Sequence, residues 1–263
     1  MQVYAVFISP TGNTKKAVRA IASGLAEVVS GGDFYSIDIT PRDLRRGVLE
    51  FGPGDIVILG TPVYAGRVPN KLLPYLTEAV YGDGALGIPV VTYGNRAFDD
   101  ALKELACVMY NNGMDIIGAR AVVGEHAFTS RLAPGRPNEE DLAELREYGK
   151  KIGQKLKKDS ISYIDVATLP GRDEDAFEYY VPKKENGEPA SFLKAMVKTD
   201  TEKCTGCAAC REICPMGCLD NSLTEPEGIC IKCHGCVHAC PEGAKYFDNE
   251  DLRSHIRMLE KNF

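Results

Sequence analysis

The chain has 263 residues, enough for two modest domains or one large one. Its 44% hydrophobic and 26% charged residues are ordinary for a globular protein. A net charge of -6 at pH 7 argues against a nucleic-acid binder and gives no attraction to an anionic membrane, and no apolar run reaches the roughly 18 residues of a spanning helix.

The opening MQVYAVFISP lacks a basic segment and a small-residue cleavage site, so a cytoplasmic location is expected. Residues 3–8, VYAVFI, form a short apolar run rich in β-branched and aromatic residues, the mark of a buried parallel strand. Val18, Ile21, Ala22, Leu25 and Val28 then repeat at helical spacing. Further strand runs are expected at 34–39, 55–60, 88–93 and 114–123. Between and after them lie helical stripes: Leu72, Leu73, Leu76 and Val80; Leu102, Leu105, Val108 and Met109; Leu142, Leu145, Ile152 and Leu156. Five strands alternating with helices over residues 1–160 predict an α/β domain with a doubly wound parallel sheet. Cys107, on the apolar side of its helix, is expected to be core.

The loop after the first strand reads SPTGNT, residues 9–14. Taken alone it could be a well-capped helix start. At the carboxyl end of a parallel strand it is also a phosphate cradle, in which Ser9, Thr11, Asn13 and Thr14 supply donors and Gly12 lets the backbone come close. It matches neither the Walker A pattern nor the dinucleotide G-x-G-x-x-G fingerprint. SPTGNT resembles the FMN-phosphate loop of flavodoxins, and residues 1–158 look like a short flavodoxin-like domain with strand order 2-1-3-4-5. The resemblance implies two ring loops. One is TPVYAGRVP, with Thr61, Pro62, Val63, Tyr64, Ala65 and Gly66, where Tyr64 would stack on the flavin and the backbone near Gly66 would face N5. The other is YGNRAF, with Tyr93, Gly94, Asn95 and Arg96. Electron-carrying flavodoxins usually place an aromatic side chain and acids at the second loop; here Gly-Asn-Arg stands instead, which leaves one ring face open and puts a cation beside it. Glu125 and His126, in GEHAF, lie at the same sheet edge. His126 and Arg96 are the catalytic candidates. For His126 a proton donor and a hydrogen-bonded loop histidine both remain open.

Periodicity fails over residues 161–197, which read first as a linker draped over the surface; an ordered lid near the cofactor is the alternative, suggested by Phe177, Tyr179 and Tyr180, which a solvated linker rarely carries. Nine of the ten cysteines lie between 204 and 240. Without a secretory signal such clustering points to metal rather than disulfides. CTGCAACREICP and CIKCHGCVHACP each read C-x2-C-x2-C-x3-C-P. That run is an iron–sulfur spacing, whereas zinc more often takes two separated C-x2-C knuckles. Residues 198–263 are expected to form a small α+β module, with a last helix over about 249–262 carrying Leu252, Ile256 and Leu259 on one face. The module resembles a bacterial 2[4Fe-4S] ferredoxin. The resemblance implies Cys204, Cys207, Cys210 and Cys240 at one cluster, and Cys230, Cys233, Cys236 and Cys214 at the other. Cys218 aligns with Ala244 in the internal repeat, so a small buried slot is expected for it, with a ligand role as the alternative. His234 and His238 read as groups behind the ligands or on the surface.

The two halves together look like the flavodoxin–ferredoxin fusion proteins of anaerobes. That resemblance implies FMN, two [4Fe-4S] clusters and electron transfer among them, with a redox protein as donor or acceptor. A flavin-dependent reductase of a small acceptor, such as a quinone or nitro compound, is the alternative, and a redox sensor a third. An NAD(P)H oxidoreductase is disfavoured, since no second nucleotide-binding unit is visible. A homodimer is compatible with the reading; nucleic acid and membrane are not expected as partners.

Overall fold

A computed structural model describes residues 1–263. The amino-terminal part runs β1 (Gln2–Phe7), α1 (Asn13–Val29), β2 (Tyr35–Asp38), β3 (Leu49–Phe51), β4 (Asp55–Pro62), α2 (Leu73–Ala79), β5 (Val80–Gly82), β6 (Ala85–Tyr93), α3 (Ala101–Asn111), β7 (Met114–Ile116), β8 (Arg120–Val123) and α4 (Glu139–Lys157). The main sheet is parallel, in the order β2-β1-β4-β6-β7, and β8 also pairs with β6. Counting β7 and β8 as one interrupted strand gives the 2-1-3-4-5 order expected of a doubly wound fold.

Apolar residues fill both faces of the sheet. Val3, Ala5 and Phe7 pack with Ile21 and Leu25 of α1 and Leu145 and Ile152 of α4; Val6, Val57 and Leu59 pack with Leu72, Leu76, Leu102 and Leu105. Helices α1 and α4 approach so closely that glycine is required at the crossing. A Cβ on Gly24 would lie 1.8 Å from the Arg146 carbonyl oxygen, and one on Gly149 would lie 2.2 Å from that of Ile21.

Two expectations change. The fifth strand is split, because Tyr148 of α4 enters the gap: its hydroxyl accepts from the Ala119 N–H at 3.0 Å and stands where a side chain at Gly118 would be. Val80 is not helical. The helix ends at Ala79, and Val80 opens β5, which pairs with β3 in a small separate sheet.

Residues 161–197 form a strap. Ile164 donates to the Ile116 carbonyl at the sheet edge. Arg172 pairs with buried Asp100 at 2.9 Å, and the Tyr180 N–H donates to Ala65 O at 2.8 Å. Further on, Lys183 O meets His255 Nδ1 at 2.8 Å. The module then runs β9 (Lys198–Thr199), α5 (Ala209–Glu212), α6 (Gly235–Ala239), β10 (Lys245–Tyr246) and α7 (Glu250–Asn262), with β9 antiparallel to β10. Asn249 caps α7 by accepting from the Leu252 N–H at 2.9 Å.

Candidate functional site

The module's internal repeat is visible in its backbone. Gly206, Ala208 and Gly217 have positive φ, and so do Lys232, His234 and Gly243, each 26 residues further on. Non-glycine residues in this region cost roughly 1–2 kcal/mol each. The chain accepts that cost at Ala208, Lys232 and His234, where the tight C-x2-C turns bring successive cysteines to one side.

The cysteines gather around two enclosed cavities. Cys204, Cys207, Cys210 and Cys240 line the first, together with Leu223 and Lys245. Cys214, Cys230, Cys233 and Cys236 line the second, together with Cys218, Ile231 and Phe247. The fourth cysteine of each run therefore turns into the cavity built by the other. In neither do side chains converge on a point as they would about a single ion. The second cavity is the deeper: Cys233 and Cys236 are buried, while Cys207 at the first is exposed. Burial raises the Cys233 thiol well above its ordinary range and the Cys236 thiol to about 12. Cys214 is lowered to about 6, first by the Cys218 side chain and, against the opposing effect of burial, by backbone N–H groups of Met216, Cys218 and Gly217. Cys218 fills a buried slot, as expected from the repeat, but that slot opens on the second cavity and its Sγ lies 2.7 Å from Ile229 O. His234 is not a surface group. It is buried, stacked on Phe247 with centroids 4.5 Å apart, and its Nε2 has no partner. His238 lies nearer the surface and meets Ala127 O at 2.9 Å, across the boundary with the sheet domain.

At the carboxyl edge of the sheet, Gly12 caps α1 with φ +90° and no side-chain cap. The loop uses most of its own side chains. Ser9 Oγ accepts from the Lys15 N–H at 2.9 Å, Asn13 Nδ2 donates to Glu125 O at 3.0 Å, and Thr14 Oγ1 bonds Thr92 Oγ1 at 2.6 Å. Thr40, which sequence reasoning missed, accepts from the Ser9 N–H at 2.7 Å and fixes the loop from β2. The N–H groups of Thr11, Asn13 and Thr14 have no partner within the chain, so the loop offers an anion mainly backbone donors, with the Thr11 hydroxyl beside them.

The first ring loop closes in a tight hairpin between Tyr64 and Arg67, with Ala65 at φ +50° and Gly66 at φ +81°. At its root, Thr61 is fully buried and its Oγ1 has no partner. Pro62 ends β4, and the Val63 N–H donates to Thr92 O at 2.8 Å, tying this loop to the next. In the second loop Tyr93 meets Phe98 edge-on at 5.5 Å. Gly94 leaves room for the His126 ring, whose Cδ2 lies 2.3 Å from where a Cβ would be. Asn95, at φ +69°, donates from Nδ2 to Phe263 O at 2.8 Å. Arg96 pairs with Asp99 and lies 3.9 Å from the centroid of the Tyr180 ring, so its charge is partly balanced and its face is covered by the strap. His126 Nδ1 accepts from the Phe128 N–H at 3.1 Å, which places any ring proton on Nε2. Burial, with Coulombic help from His255 and Arg96, lowers His126 to about 4. It is hydrogen-bonded within its loop, and burial favours its neutral form. The aromatics of 177–180 were the one signal of the strap: Arg67 lies over Phe177 and Tyr179 while pairing with buried Glu104.

The two regions meet at this edge. A Cβ on Gly235 of α6 would lie 3.0 Å from both Cβ and O of Pro10. Phe128 packs on His234 at 4.6 Å. Arg45 donates to Ile39 O, Thr40 O and Pro215 O. Burial raises the Tyr64 phenol well above its ordinary range, and Cys233 and Cys230 add to the shift.

Known proteins agree with this division. Two family models match, both described as 4Fe-4S binding domains, over residues 197–220 and 227–243. A "Ferredoxin 7Fe" of Hydrogenibacillus schlegelii is 35% identical over 66 residues, covering 22% of this chain and 83% of the relative. An "NAD(P)H dehydrogenase (quinone)" of Archaeoglobus fulgidus is 21% identical over 192 residues, covering 60% of this chain and 98% of the relative. A solved flavodoxin from the domain Archaea overlies 60% of this chain and 99% of its own at 19% identity, with a TM-score of 0.43. The chain is thus a flavodoxin-like α/β domain fused to a carboxyl-terminal module that belongs to the ferredoxin family.

Proposed function

We propose that this chain is an electron-transfer iron–sulfur flavoprotein that passes electrons between two [4Fe-4S] clusters and FMN. Its general redox character follows from a flavodoxin-like domain joined to 4Fe-4S binding motifs. Two observations support the fit of the groups. Thiols dominate both cavities: four at the first, beside exposed Glu242, and five at the second, beside His234, a donor chemistry suited to iron–sulfur clusters. At the sheet edge, three free N–H groups at a helix start and the orphaned Thr61 hydroxyl suit a phosphorylated, hydroxyl-bearing ligand. When bound, the clusters would supply one-electron chemistry and FMN one- or two-electron chemistry.

In this reading Cys204, Cys207, Cys210 and Cys240 hold the outer cluster, and Cys214, Cys230, Cys233 and Cys236 the inner one. The loop Ser9–Thr14 holds the FMN phosphate, and residues 61–66 and 93–96 border the ring. The observation that carries the proposal is the contact of the second cysteine run with the loops at the sheet edge: Gly235, between Cys233 and Cys236, stands against Pro10, and His234 packs on Phe128. This order, outer cavity to inner cavity to ring loops, is a path for electrons. Phe128, His234 and Phe247 stack beside it and keep water out.

The test is anaerobic stopped-flow reduction of chain loaded with iron, sulfide and FMN. Cys230→Ser is expected to keep FMN but slow its reduction by a low-potential donor at least tenfold. Flavin reduction at the wild-type rate in that variant would reject the path. The Archaeoglobus relative favours a second reading, reduction of a small acceptor such as a quinone at the flavin. Saturable turnover of a quinone, lost in Arg96→Ala, would favour it. His126, neutral and accepting at Nδ1, is poorly suited to give up a proton there near pH 7.

A further inference from the structure

Lys245 is the module's most deeply buried cation. It is 3% exposed, although β10 has only two residues and its other side chain, Tyr246, is turned to solvent. A lysine is almost never this buried without a partner, yet no carboxylate pairs with it. Its Nζ donates to Thr199 Oγ1 at 2.7 Å and to Leu223 O. An ammonium has three N–H groups, so one is left over, and Lys245 lines the cavity bounded by Cys204, Cys207, Cys210 and Cys240. Glu242 also lines this cavity, but it is exposed and makes no ion pair with Lys245, so the counter-charge that would justify the buried ammonium is the thiolate set itself.

We propose that Lys245 is a fixed counter-cation for the outer cluster, raising that cluster's reduction potential above that of the inner one. The inference rests on the cluster assignment given above. Its physics is general. A cluster held by four thiolates is anionic and gains a further negative charge on reduction. A buried cation beside it favours the reduced state, and net charge, hydrogen bonds to sulfur and solvent exposure are the levers that set such potentials. The exposure of Cys207 acts in the same direction at this cavity. The inner cavity is lined by thiols, apolar side chains and His234; its neighbouring cations, Lys232 and Arg45, stand outside the lining and are spent on the Leu193 carbonyl and on those of Ile39, Thr40 and Pro215.

The experiment is an anaerobic potentiometric titration of the loaded full-length chain, followed by EPR, with iron and sulfide measured on every sample. Lys245→Met keeps the length of the side chain and removes its charge. One of the two cluster steps is expected to move to more negative potential, and the other to move less. Thr199→Val removes one hydrogen bond of Lys245 and keeps the charge, so both steps should stay near wild type. A purely structural lysine would instead lower thermal stability in both variants and move neither potential; that result, with full iron content, overturns the proposal. If Lys245→Met does not take up iron, the wild-type chain is compared with Cys207→Ser, which alters the spectrum of the outer cluster alone. The altered signature should belong to the higher-potential step, and finding it on the lower one overturns the proposal. A wild-type chain that takes up no iron and sulfide would reject the cluster reading itself.

Discussion

The sheet domain and the cysteine module solve the problem of stability in opposite ways. The sheet domain has two apolar clusters of nineteen and eighteen buried residues, one on each face. The module's own cluster has four, and two of these are Cys210 and Cys236. The first region is held by hydrophobic burial worth about 25 cal/mol per Å² of apolar surface. The second has too little such surface, places ligand candidates where core residues would stand, and adopts left-handed backbone at Ala208, Lys232 and His234. On the proposed reading, its stability comes largely from the clusters its cysteines would hold.

The largest effect should follow from removing that binding. Stripping iron anaerobically with a chelator, or replacing Cys233 with Ala, is expected to abolish amide protection through residues 198–248 while β1, β4 and β6 keep theirs. Hydrogen exchange read by mass spectrometry separates the two regions. Unchanged protection in an iron-free module would erase the contrast. The converse lesion is Gly149→Ala. The added methyl meets the Ile21 carbonyl oxygen at 2.2 Å, and backbone cannot swing aside as a side chain can. Overpacking of this kind costs about 3 kcal/mol at the upper end of its usual range. Denaturant unfolding should show the loss in the sheet domain alone, with cluster absorbance intact at low denaturant.

The contrast also explains what could be read from the sequence. Strand runs such as VYAVFI and DIVILG are continuous because both faces of a parallel sheet are buried, so the main sheet's strands were legible, while their order came from the flavodoxin resemblance. The split of the last strand was not, because it depends on Tyr148 arriving from a helix some 30 residues later in the chain. The pairing of β3 with β5 was hidden for the same reason: each is three residues long, and only the partner makes it a strand. In the module, the ferredoxin resemblance anticipated which cysteines share a cavity, Cys218 apart. The buried Lys245 and the inward His234 were illegible, since a lysine or histidine beside a motif is normally solvated. At the candidate phosphate loop the sequence suggested side-chain donors beside a nest of backbone N–H groups; the structure spends Asn13 and Thr14 on the chain and leaves the backbone N–H groups free.

Where the two regions meet, smaller effects sharpen the comparison. His126 sits at this seam, depressed to about 4 from an ordinary 6.5. The native chain therefore binds fewer protons there than the unfolded chain. The stability involved is fully present above pH 6.5 and is lost as pH falls toward 4, amounting to about 2 kcal/mol between pH 8 and pH 5. His126→Gln should flatten the pH dependence of Tm over that window by the corresponding amount. An unaltered profile would mean that the ring is not held neutral by burial. Arg45→Ala removes a cation that bonds two carbonyls of the sheet domain and one of the module. Hydrogen bonds to charged groups are worth about 1.5 kcal/mol or more, so residues 213–217 should exchange several-fold faster while the sheet is unaffected.

The smallest effect concerns Arg131 and Glu260, which also join the two regions, at 3.3 Å. Arg131 is 79% exposed, while Glu260 is 18% exposed and also accepts from the Thr129 hydroxyl at 2.5 Å. The arginine thus acts through water and salt. An exposed pair of this kind contributes at most about 0.5 kcal/mol, so Arg131→Ala should leave Tm and exchange at the seam within error, whereas Thr129→Val leaves the less exposed carboxylate without its hydroxyl donor and should show a measurable loss. The reverse ranking would mean that the seam is held by exposed charge rather than by shape and buried hydrogen bonds, and the closeness of Gly235 to Pro10 would then be incidental to how the halves stay together.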